Sequence, residues 1–498
     1  MKRIFVLIGL GIFLFLILLN NLFTVCAQPP TLPLWARSYH YTEQNTWCST
    51  VLKTDDGFIV AGNAGKAGGL SCVFLIMKLD EDGTIKWVNK YHHSLYRQAT
   101  CIQEVNGEYF VSGYTFEKGN HAALVMKLDD HGVILWEKIY VSSQFHIIPG
   151  SILNTGDGGV VIAGRIEEVQ KPDNQHLCVI KLKKQGQNDY VIDWQRAYDY
   201  PYIPVGKVKQ YAKETAISMV RTEAGDYLVA GNLYTPEFGY NPWIVELRSS
   251  DGSLIRHARI KGSGDNTQVT SIKDISDPTS KNMFVITGFT NSKNSKGDGS
   301  FNMFAVKLKL DATGLSMGWK VAYQHSGQDY SYSIDQTQNG DLILVGSGSK
   351  SQTNSLDALI LKLDPSDGSV KYHLICYGNA YGGNDLNDGF YSVQKTINDG
   401  FVVGGYNESF PADDFKNIWV MSLDKNGDID KKNDSSCMQY QVDIEGYSVD
   451  WQFGCLSGFV DLGSKIEERK PGLIDKEITS FCTLFELQSI LLCDEFTK

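Results

Sequence analysis

Short apolar runs bounded by glycine and aspartate recur along the chain in a fixed order. DGFIVAG (56–62) returns as GEYFVSG (107–113), GGVVIAG (158–164), GDYLVAG (225–231), NMFVITG (282–288), GDLILVG (340–346) and DGFVVGG (399–405). The closing glycines, Gly62, Gly113, Gly164, Gly231, Gly288, Gly346 and Gly405, are spaced by 51, 51, 67, 57, 58 and 59 residues. After each comes a loop of variable length and a second apolar run. These read CVFLIMKLD (72–80), AALVMKLD (122–129), HLCVIKLK (176–183), PWIVELRS (242–249), MFAVKLKLD (303–311), ALILKLD (358–364) and IWVMSLD (418–424). Runs this short, rich in Val, Ile and aromatics, predict strands rather than helices.

Each second run turns through an Asp/Gly stretch into a third segment, commonly W-x-x-x-Y: Trp87 to Tyr91, Trp136 to Tyr140, Trp194 to Tyr198 and Trp319 to Tyr323. A fourth segment, such as ATCIQEV (99–105) or YSIDQT (332–337), leads into the next copy, whose glycine reads as the mark of a turn. Four short antiparallel strands in every repeat is the pattern of a β-propeller blade. The expected fold is therefore all-β, a seven-bladed β-propeller of four-stranded antiparallel blades over residues 35–429. Trp35-Ala-Arg-Ser-Tyr39 carries the W-x-x-x-Y pattern ahead of the first full repeat, and the last repeat lacks it after Asp424. The N-terminal strand is thus expected to close the ring as the outermost strand of the last blade, since closure removes unpaired edges.

The repeat resembles the secreted bacterial and archaeal β-propeller repeats built on DGGYIVAG…LIKLDxxGxxxW, over residues 35 to about 429. It is more distantly similar to the tryptophan-docking repeats of pyrroloquinoline quinone dehydrogenases and of the outer-membrane assembly propeller. The quinone enzymes carry eight blades, an adjacent cysteine pair over the cofactor and a calcium site. This chain has seven repeats and no adjacent cysteines, so no cofactor is expected. A propeller scaffold does not by itself imply an activity.

Outside the repeats the pattern changes at both ends. Lys2 and Arg3 precede an unbroken apolar run from Ile4 to Leu19, and Val25-Cys26-Ala27 supplies compact residues for a signal-peptidase cut, so residues 1–27 read as a signal peptide and 28–34 as a linker. The product is expected to be secreted or extracytoplasmic, at the cell surface or in the periplasm, with no membrane span after cleavage. Lipid anchoring through Cys26 is the lesser alternative. Residues 430–498 break the period and form a cysteine-containing extension with two or three strands. Its Cys437, Cys455, Cys482 and Cys493 are candidates for one or two disulfides in an oxidising compartment. Cysteines elsewhere sit singly in strand patterns, as small buried apolar groups do.

Charge narrows the partners. The net charge is −11, and loss of Lys2 and Arg3 leaves 44 basic against 57 acidic residues with no basic block. Nucleic-acid binding is excluded on that ground. No CxxC pair, H-E-x-x-H or Walker loop is present, and no metal site is expected.

The Asp/Gly turns, such as Asp80-Glu81-Asp82-Gly83, fall at one end of the strands and are stereotyped. Loops after the glycine runs and after W-x-x-x-Y fall at the other end and vary, which is where binding is usually grafted. That rim collects His40, Trp47, His92, His93, Tyr96, Arg97, His146, Tyr211, His325, Tyr330, Asp385 and Tyr391. The leading expectation is a binding scaffold whose partner is an envelope protein or a surface glycan. The alternative is a polysaccharide lyase in which His92, His146 and Tyr211 handle the proton and Arg97 neutralises a uronate.

Overall fold

Each apolar run forms a strand buried almost end to end, as over Gly57–Gly65 and Cys72–Leu79, while alternation of buried and half-buried positions is kept to flanking segments such as Arg97–Val105. The computed structural model describes residues 34–427, apart from 40–43, 66–71, 92–95, 118, 187, 201–211, 262–265, 292–299, 325–326, 350–354, 377–385, 397–398 and 409–414, together with two short strands further on. Among these residues the chain is all-β and contains no α-helix.

The strands are β1 (Trp35–Tyr39), β2 (Asn45–Thr54), β3 (Gly57–Gly65), β4 (Cys72–Leu79), β5 (Ile85–Tyr91), β6 (Arg97–Val105), β7 (Glu108–Glu117), β8 (Asn120–Leu128) and β9 (Ile134–Tyr140). They continue as β10 (Phe145–Asn154), β11 (Val160–Glu168), β12 (Lys171–Lys184), β13 (Tyr190–Tyr198), β14 (Lys213–Arg221), β15 (Tyr227–Thr235), β16 (Gly239–Leu247) and β17 (Leu254–Lys261). Next come β18 (Thr267–Asp274), β19 (Met283–Thr290), β20 (Asn302–Asp311), β21 (Gly314–Gln324), β22 (Asp329–Gln336), β23 (Leu342–Ser349), β24 (Leu356–Leu363) and β25 (Val370–Cys376). The last are β26 (Asp388–Lys395), β27 (Phe401–Asn407), β28 (Asn417–Leu423), β29 (Glu445–Ser448) and β30 (Gln452–Gly454).

They pair antiparallel in chain order as β2-β3-β4-β5, β6-β7-β8-β9 and β22-β23-β24-β25, and out of it as β26-β27-β28-β1, where the first strand joins the last three. A five-stranded sheet adds β29 to the outer edge of β18-β19-β20-β21. A nine-stranded one joins β10–β13 to β14–β17 through a single parallel bridge, Gln175 to Lys213, and carries β30 outside β17. The architecture is propeller-like: hydrophobic clusters lie between successive sheets, as where Ile59 and Ile76 of one meet Val111 and Met126 of the next. β1 runs antiparallel to β28, from Trp35 opposite Ser422 to Tyr39 opposite Ile418. The first and last sheets share a cluster of Trp35, Phe58, Leu79 and Val420, and Val51 N donates to Ser392 Oγ (3.1 Å).

The repeated glycine does not mark a turn. It lies mid-strand, opposite a β-bulge that recurs in each innermost strand: Ser49, Thr100, Gly150, Ile217, Thr270, Tyr332 and Tyr391 are the extra residues. A methyl group on Gly62, Gly113, Gly164, Gly231, Gly288, Gly346 or Gly405 would stand 1.9 to 2.5 Å from a backbone carbonyl of the neighbouring strand. Only glycine lets the bulged strand come that close.

The Asp/Gly turns prove to be docking surfaces. Asp80 Oδ1 accepts from Asp82 N (3.2 Å) and Thr84 N (3.1 Å), leaving Gly83 at φ +82 with its flat face outward. Trp35 lies on that face and donates from Nε1 to Glu81 O (2.8 Å), while Tyr39 Oη donates to Gly83 O (2.7 Å). Trp87 does the same to Asp130 O (2.8 Å), Trp194 to Ser249 O (3.1 Å) and Trp319 to Pro365 O (2.9 Å). A Cβ on Gly83, Gly132, Gly252 or Gly368 would meet indole carbons at 2.6 to 2.8 Å.

Three junctions depart from this. Tyr372 lies against Gly427, Trp136 packs on Tyr190 (ring centroids 5.4 Å apart), and Arg256 Nη1 donates to Asp311 O (2.9 Å).

Cys48, Cys72, Cys101 and Cys178 are outside any disulfide, the first two and Cys178 buried. Cys437, Cys455, Cys482 and Cys493 lie outside the described residues, as do 1–27 with Cys26 and nearly all of the linker. Among the described residues no helix is long and apolar enough to cross a membrane.

Gly288→Ala drives a methyl into Gln268 O and is expected to destabilise by about 3 kcal/mol, the upper end of overpacking costs. Gly107→Ala has open space at φ +79 and is expected to lose only about 1 kcal/mol. Denaturant midpoints measured on both variants check the difference.

Candidate functional site

Strand direction alternates, so the Asp/Gly turns share one end of the sheets and the β3–β4 and β5–β6 classes of connection share the other. The second end gathers side chains from several sheets. Tyr96 and Tyr114 both donate to Gln98 Oε1 (2.6 Å each), and their rings are 6.0 Å apart. His121 stands edge-on to Tyr114 (5.3 Å) and Phe116 (5.5 Å), and its ring centroid is 5.3 Å from that of His146. His121 N donates to His146 Nδ1 (3.0 Å), which places the proton of a neutral His146 on Nε2. Burial first, and the charge of His146 second, hold the His121 imidazole below its usual pKa. Phe116 remains exposed beside it. Of this group the sequence singled out only Tyr96 and His146. Tyr114, Phe116 and His121 are ordinary strand residues until β7, β8 and β10 bring their ends together.

A second aromatic group forms where Tyr330 meets Phe289 (5.1 Å) and Phe301 (5.8 Å). Tyr391 is not on the rim: it is the bulge residue of β26, packed on Tyr332 (4.9 Å) and Tyr406 (5.4 Å). Trp47 is half-buried within β2. Arg97 is buried and forks onto Glu137, Nη1 to Oε2 at 3.1 Å and Nη2 to Oε1 at 3.0 Å. That corrects the expectation that it faces a uronate, because its charge is already committed to an internal carboxylate. His40, His92, His93, Tyr211, His325 and Asp385 lie outside the described residues.

A polar cluster that the sequence did not single out sits at the same end, where β12 meets β14. Glu214 is fully buried; its Oε1 accepts from Tyr200 N (3.2 Å). Its Oε2 has no hydrogen-bond partner and lies 3.8 Å from His176 Nδ1, which is 3.7 Å from Asp199 Oδ1. Burial, and after it the Asp199 charge, hold the Glu214 carboxyl well above the usual carboxylate range. These N and O donors are of the type that binds transition metals. No spacing announces them, since His176 lies within β12, Asp199 just beyond β13 and Glu214 near the start of β14.

At the opposite end, the junction where Arg256 replaces the docking tryptophan leaves a cavity of about 310 Å³, lined by Leu228, Glu246, Arg256, His257 and Leu315 among others. Arg256 Nε pairs with Glu246 Oε2 (2.6 Å), and Trp243 Nε1 donates to His257 Nδ1 (3.0 Å). Burial pushes the His257 imidazole down to about 4. Gly314-Leu-Ser316-Met-Gly318 has the G-x-S-x-G spacing of a nucleophile elbow, but Ser316 is an exposed residue within β21 whose hydroxyl donates to Lys309 O (3.4 Å). No strand–turn–helix presents it.

No protein-family model and no curated protein matches the chain. Solved structures align at low identity. A protein of unknown function from Dyadobacter fermentans is 10% identical with a TM-score of 0.43, covering 78% of this chain and 98% of its own. The quinohemoprotein alcohol dehydrogenase of Comamonas testosteroni is 10% identical with a TM-score of 0.39, covering 78% and 76%. An exo-1,5-alpha-L-arabinanase from a bovine ruminal metagenomic library is 11% identical with a TM-score of 0.31, covering 58% and 99%. Likenesses this distant carry no argument about activity, and the propeller-like assignment rests on the strand pairing itself.

Arg97→Met alone strands Glu137 in the interior and is expected to cost about 3–5 kcal/mol, whereas Arg97→Met with Glu137→Leu is expected to recover most of that loss. A double-mutant cycle by chemical denaturation measures it. His257 takes up a proton in the unfolded chain near pH 6.5 but in the folded chain only near 4. Its contribution is therefore whole above pH 6.5 and is lost as pH falls towards 4, by up to about 3 kcal/mol. His257→Gln should flatten the pH dependence of the unfolding midpoint in that window.

Proposed function

We propose that the chain is an exported seven-bladed β-propeller, closed into a ring by β1, that uses the loop end of its sheets to bind an envelope protein or a surface glycan. One observation carries the reading: the two ends of the sheets are spent differently. The Asp/Gly turns are largely consumed by docking the neighbouring sheet's Trp and Tyr. The loop end leaves Tyr96, Tyr114, Phe116, His121 and His146 grouped across adjacent sheets, with phenol and imidazole groups beside an exposed ring. Aromatic faces edged by hydrogen-bonding groups suit sugar rings or the anchor residues of a protein partner. Ring closure is supported by the pairing of β1 with β28 and by Trp35 on Gly83. Export is supported by the N-terminal run from Lys2 to Ala27.

The test pairs two variants. Tyr96→Ala with Phe116→Ala alters the loop end, and Val133→Ser alters an exposed residue of the turn end. Binding to a panel of surface polysaccharides and to proteins of envelope extracts is measured for each. Loss of about tenfold or more in the first variant and none in the second supports the reading. Equal binding by both variants counts against it, and the class of ligand retained separates glycan from protein.

A further inference from the structure

We propose that His176, Asp199 and Glu214 form a binding site for a divalent transition-metal ion, of the zinc, cobalt or manganese type, at the junction of β12, β13 and β14. The inference does not rest on the rim-binding reading. Three features of the geometry point to it. The first is an unmet polar atom: Glu214 is fully buried, and its Oε2 finds no hydrogen-bond partner, a costly arrangement for a buried oxygen. His176 Nδ1, also buried, lacks a partner as well.

The second is spacing. His176 Nδ1 stands 3.8 Å from Glu214 Oε2 and 3.7 Å from Asp199 Oδ1, and all three ligand atoms lie within 4.8 Å of one another. These separations exceed a hydrogen bond. Ligands at ~2.0–2.2 Å from a tetrahedral ion stand about 3.3–3.6 Å apart, so the two His176 separations need a contraction of only a few tenths of an ångström, the exposed Asp199 swings in to complete the three, and water takes the fourth position. The groups surround a gap rather than satisfy one another.

The third is support. Glu214 is oriented by Tyr200 N, and the Gln175–Lys213 bridge lies one residue before His176 on β12 and one before Glu214 on β14. The site thus straddles the point where two successive groups of strands join. Asp199 is exposed and offers both an entry route and the outer ligand. One nitrogen and two carboxylates select a borderline metal over Ca²⁺ or Mg²⁺, which prefer all-oxygen shells. An ion held there would staple the β10–β13 strands to the β14–β17 strands and resist their separation.

The untagged full chain, stripped with chelator, is titrated calorimetrically with Zn²⁺, Co²⁺, Mn²⁺, Ca²⁺ and Mg²⁺, and its thermal midpoint is followed in parallel. Zn²⁺ and Co²⁺ are expected to bind one to one and to raise the midpoint. Glu214→Gln keeps the shape and the Tyr200 contact, and Asp199→Asn alters an exposed group, so both should fold. His176→Gln removes the nitrogen ligand. Each variant is expected to weaken Zn²⁺ by more than the ~10–100-fold typical of losing a supporting partner. The proposal is overturned by no one-to-one binding, by Ca²⁺ or Mg²⁺ binding in preference to Zn²⁺, or by Zn²⁺ affinity unchanged in Glu214→Gln and His176→Gln.

Discussion

The contact on which most sheet junctions in this fold depend is an aromatic ring lying flat on a glycine. The third segment of one sheet lays its tryptophan over the Asp/Gly turn of the next and ties it with an indole N–H and a tyrosine hydroxyl, as Trp87 and Tyr91 do at Gly132. Gly132 must satisfy two conditions at once: φ of +77 to close the turn, and no side chain where the indole rests. Only glycine meets both. The contact fixes how far apart successive sheets stand and how they are rotated. The clusters between sheets can then fill to interior density. Where the contact forms its direction is constant, one sheet giving its aromatic to the turn of the next. This accounts for Trp35 and Tyr39 before the first repeat: the first turn, at Gly83, can receive its aromatic only from a strand added to the last sheet.

A second constraint works from the inside. The bulge in each innermost strand brings a carbonyl against the mid-strand glycine of its partner. Two side chains clamp neighbouring sheets nearby: Asn63 bonds both N and O of Ala99, and Asn232 those of Val269. With the outer rim of the turns and the inner strands both committed to packing, chemistry is left to positions where the repeat lapses. Arg256 in place of tryptophan opens the cavity beside His257. The long passage between β13 and β14 ends at Glu214, where the strand pattern has placed a carboxylate in a buried position. Lapses in a repeat are informative for this reason, since packing alone would have kept the consensus.

The loop end differs in kind from the turn end. Its residues come from connections that vary in length, and their proximity depends on how neighbouring sheets are aligned. Tyr96 and His146 lie 50 residues apart in the chain, yet both reach the group centred on His121. Arg97, next to Tyr96, turns the other way and is consumed by Glu137. One residue of sequence separates a rim group from a buried ion pair, because successive side chains of a strand project to opposite faces.

The sequence by itself determined the strands, their order, the four-strand repeat and the edge on which β1 adds, because short apolar runs and Asp/Gly punctuation are local and were written many times over. Repetition also removed Asp80-Glu81-Asp82-Gly83 from the candidate sites, as one turn among similar ones. The reason for the recurring glycines was not legible: they read as turn residues, whereas Gly62 and its equivalents answer to a carbonyl on another strand. Nor was the site. His176, Asp199 and Glu214 share no motif, and Tyr391 and Arg97 look like rim residues in one dimension. Only the tertiary structure decided these, since burial, the missing partner of Glu214 Oε2 and the face to which each side chain turns are set by strands meeting at their ends.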